Sequence, residues 1–305
     1  MSEPGHVPGA RYAQLQRGRY LEGILPQVSD TVREGMDALG LDPSRDDVLE
    51  AEGVTKRYGR ATAASEVSLT VKAGQVHGLL GPNGSGKSTI LHVLTGLLRA
   101  DEGSVFVGEL PIDEKASRAS MGFAPDDLPL PGALTGREYI DLHDSMRSRH
   151  DLDAALVLAA GLGLGDDLDK QIGQYSHGMK RKIQVIAALM HRPAVLVLDE
   201  PFRGLDPDAA AVLRHLIVSF TGGGGGVLVA THDMLRAERD CDRVTILDHG
   251  SVVATGAPRD LVESTPGAST LEDVFLTVTG RRQQNDHRSA ALHDLFIKTR
   301  TEATS

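Results

Sequence analysis

The residues best suited to chemistry lie in a glycine-rich segment between two apolar runs. Residues 81–89 read GPNGSGKST and contain G-x-x-x-x-G-K-S. The run before them, 76–80, predicts a buried strand, and 89–98 predicts a helix. Between a strand and a helix, such a loop curls so that its N–H groups converge on a phosphate; the lysine reaches the β- and γ-phosphates, and the serine hydroxyl ligates Mg²⁺. The expected nucleotide-binding residues are Gly81, Pro82, Asn83, Gly84, Ser85, Gly86, Lys87, Ser88 and Thr89.

A second group of reactive side chains follows two short apolar runs, AVLVLDE at 194–200 and GVLVATHD at 226–233. Runs that are apolar on both faces predict central strands of a parallel sheet, and ligands collect at the carboxyl ends of such strands. There Asp199 can hold Mg²⁺ directly or through water, and Glu200 can polarise the water that attacks the γ-phosphate. A neutral His232 can hydrogen-bond the γ-phosphate or that water. The expected catalytic residues are Lys87, Glu200 and His232, and the expected metal ligands from this pattern are Ser88 and Asp199.

The flanking sequence indicates the elements that position these residues. From residue 48, period-two alternation predicts a small antiparallel sheet, whereas about 122–188 carries helical periodicity. A helix at about 207–220 links the two apolar strands, and 243–256 reads as a hairpin turning at Asp248–Gly250. The five glycines of 222–226 suggest a flexible linker without chemistry. The fold class is therefore α/β, with a mostly parallel sheet, a small antiparallel β-subdomain and a helical subdomain.

The two ends of the chain and its bulk composition restrict the role further. Residues 1–47 predict a partly disordered extension with one or two short amphipathic helices; 48–282 form the main domain, and 283–305 a tail with one short helix around 290–299. The net charge of −10, from 32 basic and 42 acidic residues, disfavours nonspecific binding to nucleic acid or anionic lipid. No apolar run reaches the ~18 residues that cross a bilayer. The single cysteine, Cys241, excludes an intrachain disulfide, suits the cytosol and reads as a buried structural thiol.

Between the two reactive groups lies GQYSHGMKRK (Gly173–Lys182), and with it the order of motifs resembles the nucleotide-binding subunit of an ATP-binding cassette (ABC) transporter. The resemblance covers about 48–280 and implies a P-loop NTPase core with ATP and Mg²⁺ as cofactors. It further implies that Ser176 and Gly178 grip the γ-phosphate held by a second subunit. By the same resemblance, Asp206 crosses the dimer seam and Tyr58 stacks on adenine.

Three features depart from the family pattern. The signature, LSGGQ in the family, reads YSHGM at 175–179, which keeps the serine and the second glycine and has an unusual His177. Asp126 stands where the family has a glutamine that touches Mg²⁺ and faces the membrane partner; a carboxylate can ligate Mg²⁺ but cannot donate a hydrogen bond when ionised. The 47-residue extension has no counterpart in a minimal cassette. Residues 271–282 resemble the closing segment of ATPases that serve small bacterial exporter permeases.

The resemblance implies a homodimer that closes head to tail around two ATPs and powers a separately encoded transmembrane permease, as an exporter. The chain would then be cytoplasmic, peripheral on the inner face of the cell membrane, reaching the membrane only through its partner and binding no nucleic acid. Two other classes stay open: a soluble ABC-type ATPase acting on ribosomes or DNA, and a regulatory ATP switch in which residues 1–47 bind a protein.

Overall fold

The computed structural model describes residues 47–126, 129–147 and 152–281. The helices predicted within 1–47 and around 290–299 lie outside these ranges. The strands are β1 (Asp47–Tyr58), β2 (Ala61–Lys72), β3 (Val76–Leu80), β4 (Glu102–Val107), β5 (Leu110–Pro111), β6 (Met121–Ala124), β7 (Val195–Asp199), β8 (Gly226–Thr231), β9 (Arg243–Asp248) and β10 (Ser251–Gly256). The helices are α1 (Lys87–Leu94), α2 (Lys115–Ala119), α3 (Gly136–Arg147), α4 (Leu152–Gly161), α5 (His177–Leu189), α6 (Pro207–Gly222), α7 (Met234–Asp240), α8 (Pro258–Ser264) and α9 (Leu271–Val278).

The central sheet has six strands in the order β10-β9-β3-β8-β7-β6. All neighbouring strands are parallel except β10, which pairs antiparallel with β9 in the predicted hairpin. Every residue of β3, β7 and β8 is buried, which explains why their sequences are apolar on both faces. In register, Leu80 pairs with Thr231 and Asp199 with Ala230. The residues that follow these three strands therefore meet at one edge of the sheet.

A second, four-stranded antiparallel sheet has the order β2-β1-β4-β5, as the period-two pattern predicts. Its inner face shares one apolar cluster with α1 and the central sheet, which includes Val54, Leu69, Leu91, Val197 and Leu228. Fully burying a side chain of this kind contributes about 1.5–3 kcal/mol, so this cluster fixes α1 against both sheets. The helix that begins at the glycine-rich loop is held firmly as a result.

The helical region begins later than its expected boundary at 122, because Met121–Ala124 form β6 at the edge of the central sheet. Its helices are α3, α4 and α5, and they pack around a cluster that includes Ile140, Leu158 and Ile183. The same cluster continues to Leu198 of β7. Helix α5 thus connects the helical region with the strand that ends at Asp199.

The glycine run at 222–226 is not the loose linker that its composition suggests. Helix α6 includes Gly222, and Gly226 is the first residue of β8. A Cβ at Gly225 would lie 2.4 Å from the Phe220 ring, and one at Gly226 would lie 2.3 Å from Val48. The Gly226 amide donates to the Ala194 carbonyl. Gly225 and Gly226 therefore allow close packing between α6, β8 and β1.

Candidate functional site

The glycine-rich loop forms a cradle at the N-terminus of α1. Gly84 and Gly86 have φ angles of 81° and 101°, in the left-handed region that suits glycine. Gly86 is the N-cap, and no side chain caps the first N–H groups of α1. A helix N-terminus left in this way favours an anion, since its N–H groups and dipole both attract negative charge. The predicted helix start near Thr89 is corrected to Lys87, which places the lysine inside the first turn.

Neighbouring elements fix the shape of this loop. The Gly250 amide donates to the Ser85 carbonyl, and the Ser65 amide donates to the Gly250 carbonyl. A Cβ at Gly86 would lie 2.4 Å from the Ala63 carbonyl oxygen, so only glycine fits there. The loop is therefore supported by β2 and by the β9–β10 turn, contacts that the local sequence does not reveal.

The Lys87 side chain lies back along the loop. Its Nζ donates to the carbonyl oxygens of Gly81, at 2.6 Å, and Pro82, at 3.0 Å. Burial lowers the pKa of Lys87, while Glu200 and Asp199 oppose the shift by favouring the charged form. The ammonium group is thus held in place at the cradle, where it can exchange loop carbonyls for phosphate oxygens.

Asp199 is the last residue of β7 and Glu200 follows it, as the sequence predicts. Burial raises the pKa of Asp199 to about 6, and the negative charges of Asp126 and Glu200 add to the shift. Such a concentration of carboxylates favours a cation beside it. Among the described residues no group of three or more His, Cys, Asp or Glu is arranged to hold a metal.

The Glu200 carboxylate is held by the end of β8. His232 Nδ1 lies 2.6 Å from Glu200 Oε1, which also accepts from the His232 amide at 3.0 Å. The Thr231 hydroxyl donates to Oε2 at 2.9 Å. Glu200 has a φ of 46°, unusual for a non-glycine residue, and its amide donates to the Ala230 carbonyl. The structure therefore brings together Glu200 and His232, and adds Thr231, which sequence reasoning missed.

Asp126 lies at the same edge, but its carboxylate is engaged by arginines. Oδ1 accepts from Arg181 at 2.9 Å and Oδ2 accepts from Arg203. The sequence analysis did not identify either arginine as part of the site. Arg181 belongs to a charged KRK run, yet it lies four and seven residues before Val185 and Ala188, on the buried side of α5. That spacing is the sequence feature that could have indicated that Arg181 is buried.

The signature residues lie at the start of α5. Ser176 is its N-cap, and Ser176 Oγ accepts from the Met179 amide. A Cβ at Gly204 would lie 2.2 Å from the His177 ring, so the unusual histidine packs directly on that loop. Asp206 is the N-cap of α6, and the hydrogen bond from the Ala209 amide lowers its pKa.

One open cleft of about 1020 Å³ collects most of the predicted site. Among the described residues its lining includes Asn83, Gly84, Gly86, Lys87, Ser88, Thr89, Asp126, Asp199, Glu200 and His232. Seven predicted site residues are not part of that lining: Gly81, Pro82 and Ser85 of the loop itself, and Ser176, Gly178, Asp206 and Tyr58. Tyr58 lies at the end of β1 with about half of its surface exposed (51%), and Thr62 and Ala63 of the adjoining β2 line the cleft. Adenine stacking on Tyr58 stays a prediction.

A phosphate cradle, an inward lysine and an Asp-Glu pair on a parallel sheet define a nucleotide-binding P-loop ATPase. Similarity to known proteins identifies the family within this class. The family model "ABC transporter" matches residues 64–203. The chain is 37% identical over 230 residues to a Nod factor export ATP-binding protein of Burkholderia orbicola, covering 73% of this chain and 75% of that protein. It is 34% identical over 238 residues to a linearmycin resistance ATP-binding protein of Bacillus subtilis, covering 76% of each.

Solved structures agree with this assignment. An ATP-binding subunit of an ABC transporter matches with a TM-score of 0.72 and 26% identity, over 76% of this chain and 99% of that one. A dimeric bacterial ABC transporter cassette matches with a TM-score of 0.64 and 25% identity, over 68% of this chain and 98% of that one.

The chain belongs to the ABC transporter family and is an ATP-binding, ATP-hydrolysing subunit of the exporter type. This confirms the expected α/β cassette fold and the expected function. The relatives give no support to a soluble ribosome- or DNA-associated switch. No helix in the described part of the chain has the length and apolar character needed to cross a membrane.

Proposed function

We propose that two copies of this chain close head to tail around two MgATP molecules and so drive a membrane permease. One observation carries the proposal: the cleft beside the phosphate loop contains Lys87, Asp199, Glu200 and His232, but Ser176 and Gly178 are outside its lining. Ser176 is exposed at a helix N-terminus, where it is free to face another subunit. The dimeric cassette among the similar structures supports such an assembly.

Each residue of the cleft has a definite role in this proposal. The N–H groups of residues 81–89 and the ammonium of Lys87 bind the phosphates. Ser88 and Asp199 hold Mg²⁺, which when bound neutralises charge on the β- and γ-phosphate oxygens. Asp126 was expected to join them, but each of its oxygens accepts from an arginine, which reduces the negative charge it offers to a metal. The proposed metal site therefore rests on Ser88 and Asp199.

Hydrolysis requires that Glu200 act on water. Its carboxylate accepts from Thr231 and His232. We propose that the imidazole turns toward the γ-phosphate when nucleotide binds, which leaves a Glu200 oxygen to orient and accept a proton from the attacking water. Ser176 and Gly178 of the second subunit would then close the site, with Asp206 at the seam and Tyr58 against adenine.

The transport role sets the proposed location and partner. The chain would act at the inner face of the cell membrane, attached through a separately encoded permease, and the direction would be export. Within it, 48–282 would form the ATPase domain, with 1–47 and 283–305 as an extension and a tail. The transport path would belong to the partner.

A mixing experiment tests the head-to-tail site. Ser176→Arg blocks the signature, which each subunit contributes to the ATP site of the other. Lys87→Ala disables the phosphate loop, which each subunit contributes to its own ATP site. In a mixed dimer, one composite site has both lesions and the other has none. Since random mixing makes half of the dimers mixed, about a quarter of the parental ATPase activity should return if one intact site turns over alone.

Ser145→Arg, on the exposed face of α3, is the matched control, because it introduces the same side chain away from the signature. Ser145→Arg alone should keep full activity, and Ser176→Arg monomers should bind ATP normally. Loss of ATP binding by Ser176→Arg monomers would argue for a site contained within one chain.

A further inference from the structure

A single buried arginine joins three parts of the site. The Arg181 side chain is 2% exposed, although it belongs to a run of three basic residues. Its Nη1 donates to the Pro125 carbonyl at 2.7 Å. Its Nη2 donates to the carbonyls of Asp199, at 2.8 Å, and Glu200, at 3.1 Å, and to Asp126 Oδ1 at 2.9 Å. One guanidinium group therefore contacts Asp126 and both residues at the end of β7.

Two of the backbone carbonyls that Arg181 contacts lie at the end of β7. The Asp199 and Glu200 carbonyls lie where β7 ends and the chain turns through the left-handed φ of Glu200. Backbone strain of this kind persists only where the surroundings impose it. Arg181 contacts the carbonyls that precede and follow the Glu200 Cα, so it holds the main chain from which the Asp199 and Glu200 carboxylates project.

Asp126 is the partner that makes this burial tolerable. A buried guanidinium needs a counter-ion and filled hydrogen bonds, and loss of either leaves an uncompensated charge. Burial lowers the pKa of Arg181, and the charges of Asp126, Asp199 and Glu200 oppose that shift. Arg203 on the loop after Glu200 pairs with the other Asp126 oxygen, so the carboxylate ties that loop to the same point.

We propose that Arg181 is a positioning residue for ATP hydrolysis, and that Asp126 serves as its counter-ion rather than as a metal ligand. Arg181 holds the Asp199–Glu200 main chain so that both carboxylates face the cleft. Arg181 lies about one and a half turns into α5, the helix that Ser176 caps. It therefore also joins the Asp199–Glu200 main chain to the signature. The catalytic consequence rests on the proposed function; the positioning itself does not.

The test compares Arg181→Met, Arg181→Lys and Asp126→Asn in the full chain. Arg181→Met should lower kcat about 10- to 100-fold through misplaced carboxylates, with ATP affinity within about twofold. Arg181→Lys should be intermediate, since an ammonium pairs with Asp126 but cannot span all three carbonyls. Asp126→Asn should lower kcat with an unchanged half-saturating Mg²⁺ concentration. The Arg181→Met/Asp126→Asn double variant should lose no more than Arg181→Met, because the pair acts as one unit.

Amide hydrogen exchange without nucleotide supplies a second readout. Arg181→Met should speed exchange within 199–204 and leave the phosphate loop unchanged. Arg137→Met is the matched control: it breaks the exposed pair with Asp169 in the helical region and should change neither kcat nor exchange at 199–204.

Three outcomes decide the matter. A lower melting temperature of Arg181→Met with unchanged kcat and unchanged exchange at 199–204 would overturn the proposal, because the role would be structural only. Asp126→Asn activity that returns at high Mg²⁺ would overturn the counter-ion assignment in favour of a metal ligand. A wild-type chain without hydrolysis, but with faster exchange confined to 199–204 in Arg181→Met, would overturn the proposed function and support the positioning.

Discussion

Replacing Lys87 with alanine should weaken ATP binding while leaving the fold intact. The Lys87 ammonium is buried at the cradle and donates to the Gly81 and Pro82 carbonyls. A contact of this charge-assisted kind with the phosphates contributes about 1.5–3 kcal/mol. At 1.4 kcal/mol per factor of ten, the Kd for ATP should rise about 10- to 150-fold.

The same geometry predicts the effect on the nucleotide-free protein. Lys87→Ala removes two hydrogen bonds, each worth about 1 kcal/mol net. It also removes a buried ammonium whose lowered pKa reflects its unfavourable burial, so the two effects partly offset each other. We therefore expect a change in unfolding free energy of about 1 kcal/mol, far smaller than a loss of fold.

Calorimetric titration of ATP into purified protein measures the binding change, and thermal unfolding without nucleotide measures the fold. Lys170→Ala is the matched control, since it breaks an exposed pair with Asp167 on the helical region. An unchanged titration curve for Lys87→Ala would refute the phosphate-loop assignment. A weakened curve for Lys170→Ala as well would show that the effect comes from overall charge.

Two further predictions concern stability. Burial lowers the pKa of His77 to about 4 from 6.5. As the pH falls, the unfolded chain therefore takes up a proton at a higher pH than the folded chain. The free energy of unfolding should decrease as the pH falls from about 6.5 to about 4, by about 2 kcal/mol between pH 7 and pH 5. Urea unfolding of His77→Gln, which removes the titrating ring, should show a shallower loss, and an equal loss in both proteins would contradict the assignment. Deleting residues 1–45 should keep ATP affinity and shift the melting temperature by less than about 5 °C, because the apolar pattern of this segment is short and interrupted by Pro26 and Gly35. A collapse in melting temperature would show that the extension is structural.

The sequence predicted those parts of the site that depend on local pattern. Gly81–Thr89, Asp199–Glu200 and His232 each follow a continuous apolar strand, and parallel pairing brings such strand ends together whatever the rest of the chain does. The β9–β10 hairpin was predicted for the same reason, since its turn lies within the sequence that encodes it. Cys241 is half-buried after α7, and burial raises its pKa to about 12, as expected of a structural thiol.

The parts that were missed depend on contacts between distant segments. The support of Gly86 by Ala63, and the contacts of Arg181 with Asp126 and the end of β7, join residues that are 18 to 55 positions apart. A charged run normally predicts a solvated face, and only tertiary packing decides that Arg181 is buried. The close packing of Gly225 and Gly226 was missed for the same reason, because composition alone does not distinguish freedom from close packing.

The central claim is that this chain hydrolyses ATP in a composite dimer. Glu200→Gln tests it most directly, because an amide cannot accept the proton from water while Lys87 and the phosphate loop are unchanged. Glu263→Gln is the matched control, since Glu263 pairs with Arg259 on the exposed side of α8.

The measurement is size-exclusion chromatography with MgATP, accompanied by a phosphate-release assay on the same samples. The account predicts that Glu200→Gln loses at least about 100-fold in hydrolysis and elutes as a dimer only with MgATP, while Glu263→Gln behaves like the parent. Hydrolysis by Glu200→Gln at the parental rate, with a monomer at every nucleotide concentration, would contradict it.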